Sequence, residues 1–191
     1  FNWLKETGLY DKSMIVLYGD HYGISNNHKK AMAKLTNISG FNDYNNAMYQ
    51  RVPFMIHMPG LKGGINHTYG GEIDALPTIL NLLGVKDNDT VQFGSDLLSA
   101  DHPQTVAFRN GDFVTPDFTK VGSQYFNTTT GKKIDKLSES QKESVDASTN
   151  RVTTELSLSD RVINGDLLRF YTPAGFKKVD RSDFSYKLTD T

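Results

Sequence analysis

Six consecutive residues combine types and spacing that could do chemistry: Tyr18-Gly19-Asp20-His21-Tyr22-Gly23. They follow directly on the apolar run from Ser13 to Tyr18, which reads as a strand. Ligands in open α/β sheets sit at the carboxyl ends of strands, where loops converge. Asp20 and His21 are adjacent, so a regular strand would point them to opposite faces. Gly19 and Gly23 flank the pair and free the backbone to turn, which would bring carboxylate and imidazole toward one point. A hard oxygen donor with an imidazole nitrogen is a mixed set that suits Mn²⁺ or Zn²⁺. A metal held there would polarise a phosphoryl oxygen and keep an oxygen nucleophile deprotonated. The plainer reading of the same pair is a cap or hydrogen bond in a turn. A complete site needs about four ligands, and this loop offers two.

The remaining histidines carry less. His28 belongs to a basic helix face with Lys29, Lys30 and Lys34, read as solvated or as a phosphate contact. His57 falls within a strand, as a satisfied core or interface residue. His67 and His102 lie in loops without a pattern. No Walker loop, dinucleotide fingerprint or nucleophile elbow occurs.

The elements that must position this loop follow from periodicity. Residues 13–18 are continuously apolar, the pattern of a central parallel strand buried on both faces. Ser25 caps a short helix reaching Leu35. Asn42 to Gln50 reads as loop with a little helix. Val52 to Met58 is a second strand, with Pro53 at its start and Pro59-Gly60 at its end. Ile73, Leu76, Leu80 and Leu83 make one face of a helix over Glu72 to Leu83, stopped by Gly84. The order helix, strand, helix, strand, helix implies a layered α/β domain.

The composition shifts near residue 100. Val106–Arg109, Asp112–Thr115 and Thr119–Tyr125 are strand-like pieces parted by Asn110-Gly111 and Pro116, which predicts a small antiparallel sheet. Ser138 and Gln141 form a capping box. It opens a long polar helix whose Val145, Val152, Leu156 and Ile163 keep one thin face to lay across that sheet, ending near Gly165. The tail from Tyr171 shows no trusted periodicity.

Bulk properties narrow the classes further. The 191 residues carry 21 Lys+Arg against 22 Asp+Glu, a net charge of -1. This argues against a broad basic face for nucleic acid. A chain of this length hides roughly 70% of its unfolded surface. There is no cysteine, which removes disulfides, thiolate nucleophiles and Cys-based zinc sites. That suits the cytoplasm or an exported bacterial protein alike. No apolar run approaches the roughly 20 residues of a membrane helix. The chain opens within a helix, at Phe1, Trp3 and Leu4, with Gly8 as its stop, and so reads as part of a longer polypeptide.

Several motifs in order then resemble the alkaline phosphatase and sulfatase superfamily. Residues 8–23 resemble its metal-binding strand and loop ending in Asp-His-Gly, with Tyr22 intervening before the glycine. Arg51 to Gly60 is similar to its next strand, Glu72 to Gly84 to its D-x-x-P-T helix, and Phe93 to Leu98 to its closing G-x-S/D-L segment. Within the superfamily, residues 18–23, Ala107 to Thr115 and Gly165 to Phe170 resemble the lipoteichoic acid synthases. That resemblance covers essentially the whole chain.

The resemblance implies a membrane enzyme of Gram-positive bacteria that polymerises glycerol phosphate taken from phosphatidylglycerol. Such enzymes hold Mn²⁺ through Glu, a nucleophilic Thr, Asp and His, and only the last two carry over, onto Asp20 and His21. The Thr and Glu lie upstream in the family, as do the His, Arg and Trp that hold the phosphoglycerol group, so no catalytic residue is assigned in this chain. The expected fold is α/β: part of a sulfatase-like layered sheet with helices over 1–100, then a small α+β subdomain over 101–191. The expected partners are the upstream part of the same catalytic domain, phosphatidylglycerol, the glycerol phosphate polymer and, through missing helices, the membrane, with no nucleic acid. The expected place is the extracellular face of the bacterial membrane, or outside it after cleavage. Alone, the chain is expected to be inactive and, with a sheet edge exposed, poorly soluble. Two other readings remain: a phosphatase or sulfatase-type hydrolase of the same superfamily, and a non-catalytic module binding anionic glycans through His28, Lys29, Lys30 and Lys34.

Overall fold

The computed structural model describes residues 1–21, 23, 25–86, 90–172, 174–180 and 182. Asn2–Glu6 form helix α1. The hydroxyl of Thr7 donates to the Trp3 carbonyl at 2.8 Å, and Gly8 leaves the helix with φ 69°, in the left-handed region that glycine enters freely. A turn of 3-10 helix at Tyr10–Lys12 leads into strand β1, Ile15–Tyr18.

Two helices follow. Ser25 caps a 3-10 turn at Asn26–His28, its Oγ accepting from the Asn27 amide at 3.3 Å, and this turn feeds α2, Lys29–Thr36. Helix α3 is Asp43–Met48. The sequence predicts mostly loop here, because Asn is a poor residue inside a helix, but it is among the best at the start of one. Asn42 and Asn45 exchange side-chain-to-amide bonds, both 3.0 Å, in a capping box that anchors the helix.

Strand β2, Phe54–His57, pairs with β1 in antiparallel register, Ile15 opposite His57 and Tyr18 opposite Phe54. The expectation of a central parallel strand is therefore corrected. Among the described residues the sheet holds two strands, and Leu17, Tyr18 and Met55 are 46%, 57% and 54% exposed. A continuous apolar run records that both faces want cover. It does not record the direction of the neighbour.

Beyond Gly71 a 3-10 turn at Glu72–Asp74 continues as α4, Ala75–Leu82, and Gly84 ends it at φ 68°. Pro77 is the third helical residue, where no intrahelical donor is needed. Of the predicted apolar face only Leu80 is half-buried. Ile73, Leu76 and Leu83 are exposed, while Asp74 and Thr78 are buried, drawn in by hydrogen bonds described below.

The second half is an antiparallel meander of β3 (Val106–Ala107), β4 (Phe113–Val114), β5 (Phe118–Val121), β6 (Gln124–Asn127) and β7 (Lys133–Ile134), in that order. The Asn110-Gly111 turn forms as predicted, with Gly111 at φ 85°. The piece expected over Thr119–Tyr125 is instead a hairpin turning at Gly122, φ 58°. Helix α5, Glu139–Asn164, starts on the predicted Ser138–Gln141 capping box and is followed by α6, Leu167–Phe170.

This sheet is covered twice. Side chains alternate along a strand, so Phe113 and Lys120 share one face while Val114 and Thr119 share the other. On the first face Phe113, Val145 and Val152 form the core, with Ala107, Phe118, Tyr125 and Leu156 packed around it. On the second lies α3: the Tyr44 ring sits 5.6 Å from that of Phe126, and its hydroxyl donates to the Thr128 carbonyl at 2.6 Å. A segment from the first hundred residues thus supplies one layer of the second half. Among the described residues, no helix is long and apolar enough to cross a membrane.

Candidate functional site

Asp20 and His21 stand just past β1, both exposed. The Gly19 amide donates to the Pro53 carbonyl at 3.0 Å, which carries the pairing one residue beyond the strand and sets the chain's direction into the loop. Neither Gly19 nor Gly23 has positive φ, so their role differs from the predicted sharp turn. A Cβ on Gly19 would lie 2.9 Å from Val52 Cβ, and one on Gly23 would collide with the Tyr49 carbonyl. These glycines let the loop press onto the segment that leads from α3 into β2. The loop is seated by close packing.

Among the described residues no group of three or more His, Cys, Asp or Glu side chains gathers to hold a metal. Asp20 and His21 therefore offer two donors. One carboxylate and one imidazole, both reachable from solvent at the end of a strand, suit a divalent cation of intermediate hardness that takes its other donors elsewhere.

Of the other candidates, His28 is exposed at the head of α2, and Lys29 beside it makes an ion pair with Asp43 of α3. One of the four basic residues considered for anion binding is thereby engaged internally. His57 is half-buried in β2. Its ring stacks on Tyr10 with centroids 4.1 Å apart, and Nδ1 lies 3.3 Å from the Tyr10 hydroxyl. Its Nε2 is buried without a hydrogen-bond partner among the described residues, so this histidine is only partly satisfied.

Sequence reasoning missed His102. It is 7% exposed and joins a buried polar knot. Its Nε2 lies 2.8 Å from the Tyr69 carbonyl, which can only accept, so Nε2 carries the proton and Nδ1 accepts from the Ser95 hydroxyl at 2.7 Å. Asp74 takes the amides of Gly71 and Ser95 on its two oxygens, each at 2.8 Å. Its Oδ2 is 3.9 Å from His102 Nε2. Thr78 donates to the Asp74 carbonyl at 2.6 Å and accepts from the Leu97 amide at 3.0 Å. Serine, histidine and aspartate meet here, but their bonds are not those of a nucleophile relay. The imidazole proton points at a backbone carbonyl and the carboxylate is filled by amides. The knot ties α4 to the segment after it. Asp74 and Ser95 lie in motifs the sequence did show, whereas nothing near His102 marks it.

Tyr44, at the junction of the halves, has a displaced ionisation. Burial, with a smaller push from Tyr69 and an opposing pull from Arg51, raises its phenol above the usual 10.0.

The sulfatase family matches residues 1–85, the part that contains β1, β2, α4 and the Asp20-His21 loop. The match ends short of the second sheet and α5. The chain is 52% identical to lipoteichoic acid synthase 2 of Bacillus subtilis over 190 residues, 100% of its length, and 52% identical to lipoteichoic acid synthase 1 of the same organism over 186 residues. It is 43% identical to the lipoteichoic acid synthase of Staphylococcus aureus over 190 residues. The chain spans 28% of the length of each of these relatives. The similarity to these relatives runs through the second sheet and α5 as well as the residues that match the sulfatase family. The mixed α/β architecture with its two antiparallel sheets fits an alkaline phosphatase-like fold.

Proposed function

We propose that this chain is the C-terminal part of the extracellular catalytic domain of a phosphoglycerol transferase, one that polymerises glycerol phosphate from phosphatidylglycerol into lipoteichoic acid at the outer face of a Gram-positive membrane. The observation that carries this reading is end-to-end similarity, at 43–52% identity, to lipoteichoic acid synthases. The chain matches just over a quarter of each relative, and the unmatched length has room for the nucleophilic Thr, the Glu ligand and the membrane helices that this reading requires.

In this reading Asp20 and His21 would hold Mn²⁺ together with that upstream Thr and Glu. The bound ion would supply positive charge next to the phosphoryl group and the Thr oxygen, easing deprotonation and offsetting charge in the transition state. The chain's own contribution is placement. The β1–β2 pair fixes where the loop leaves the sheet, and the close approach of Gly19 to Val52 and of Gly23 to Tyr49 fixes how it lies. A ligand misplaced by about 1 Å can cost a hundredfold in rate, so this packing belongs to the function. In this reading the chain depends on the upstream Thr and Glu to complete the site, and by itself it would be inactive.

The test is Asp20→Ala and His21→Ala in the parent enzyme, assayed by release of diacylglycerol from phosphatidylglycerol. Both variants are expected to lose turnover, and near-normal activity in both would overturn the metal assignment. Release of inorganic phosphate or sulfate by the unchanged enzyme, without polymer, would point to the hydrolase reading instead.

A further inference from the structure

A cavity of about 420 Å³ opens at the far edge of the second sheet, between the β5–β6 turn, β7 and the first turns of α5. Its volume lies within the roughly 300–1,000 Å³ of small-ligand sites. Lys133, Lys136 and Lys142 line it together with Ser123, Gln124 and Tyr125, and Asp135 is the one acidic residue on its wall. Lys142 pairs with Glu139 at 2.7 Å. Among the described residues, no carboxylate comes within ion-pair distance of Lys133 or Lys136. Two unneutralised ammonium groups therefore share one rim with a hydroxyl, an amide and a phenol.

That combination selects a ligand class. Lysine is a point-charge binder of phosphate, and the neutral groups around it donate hydrogen bonds to anionic oxygens. Lys133 and Lys136 are three residues apart, a span of up to about 10 Å of extended chain. A single phosphate has no need of two cations so placed, whereas a ligand with successive phosphates does.

We propose that this cavity docks a phosphodiester chain of the glycerol phosphate type. The inference rests on the transferase reading and deepens it, placing the growing polymer on the second sheet while the reacting end is held at the metal. Its location is independent of Asp20 and His21, so the two can fail separately.

The experiment is calorimetric titration of the full chain with a short glycerol phosphate oligomer, with inorganic phosphate and phosphatidylglycerol vesicles as parallel probes. The oligomer is expected to bind about tenfold more tightly than inorganic phosphate and to weaken as salt is raised. Lys133→Gln combined with Lys136→Gln is expected to reduce oligomer affinity about tenfold. Both residues are exposed, so unfolding temperature should stay unchanged and serves as the folding control. Asp20→Ala should leave oligomer binding intact. Absence of oligomer binding, equal binding of inorganic phosphate, binding to vesicles alone, or an unaffected double variant would each overturn the docking site. If the oligomer fails to bind while Asp20→Ala still abolishes turnover in the parent, the docking site falls and the transferase reading stands. If the oligomer binds as expected while the Asp20→Ala parent stays active, the docking site stands and the metal assignment falls.

Discussion

The two sheets of this chain are built to different standards. β1 and β2 pair along four residues each and leave Leu17, Tyr18 and Met55 about half exposed. The second sheet has five strands, with α5 on one face and α3 on the other, and it buries Phe113 and Thr119 completely. Two strands alone are marginal in water, whereas three or more with a covered face are stable. The candidate ligands sit on the thinner sheet. The candidate ligands and the best-packed core therefore lie in different parts of the chain, joined through α3.

This contrast can be broken or sharpened by measurement. The largest effect belongs to the loop: Asp20→Ala and His21→Ala are expected to remove the parent's turnover while leaving its unfolding temperature nearly unchanged, since both residues are exposed. Next comes Phe113→Ala, which empties the centre of the second core and is expected to cost about 3–5 kcal/mol by denaturant unfolding. A loss below about 1 kcal/mol would mean that the second sheet is not the stable member. Tyr44→Phe should cost about 1 kcal/mol, because the Thr128 carbonyl loses its donor.

The same tyrosine sets a pH dependence. Burial keeps its phenol protonated in the folded chain above 10.0, where the unfolded chain releases the proton. Its stabilisation is whole below the unfolded value and is lost as pH rises through the raised folded value. The alkaline slope of stability should therefore shrink in Tyr44→Phe, and an unchanged slope would assign it to another group. Smallest is Leu17→Ser on the thin sheet, expected within about 0.5 kcal/mol in this chain. A larger loss would show that β1 is covered after all.

Much of this could be read from residue order. The Ser138–Gln141 box and the Val145, Val152 and Leu156 part of the predicted stripe located α5 and the face it buries, because capping and periodicity are local signals, whereas Ile163 at the end of that stripe is exposed. Asn110-Gly111 located its turn for the same reason. The β1 run signalled a strand but not its direction, since apolarity reports burial and pairing is decided by what lies alongside. α4 misled for a related reason. Ile73, Leu76 and Leu83 share a face, but in this chain the hydrogen bonds that Asp74 and Thr78 accept decide which side turns inward. For the site, the Asp20-His21 pair and its flanking glycines were legible. The purpose of those glycines was not, because close approach to Val52 and Tyr49 depends on residues some thirty positions away. His102 was invisible, as its three partners come from separate segments.

The bond from Tyr44 to Thr128 has a consequence for anyone who would divide the molecule. A cut near residue 100 looks natural by composition, but it would strip α3 from the sheet that it covers and leave Phe126 facing water. Each product would carry a surface shaped for the other. Mixed together, such pieces should find one another and rebuild the interface, so the cleavage that seems to separate two modules would yield a complementing pair.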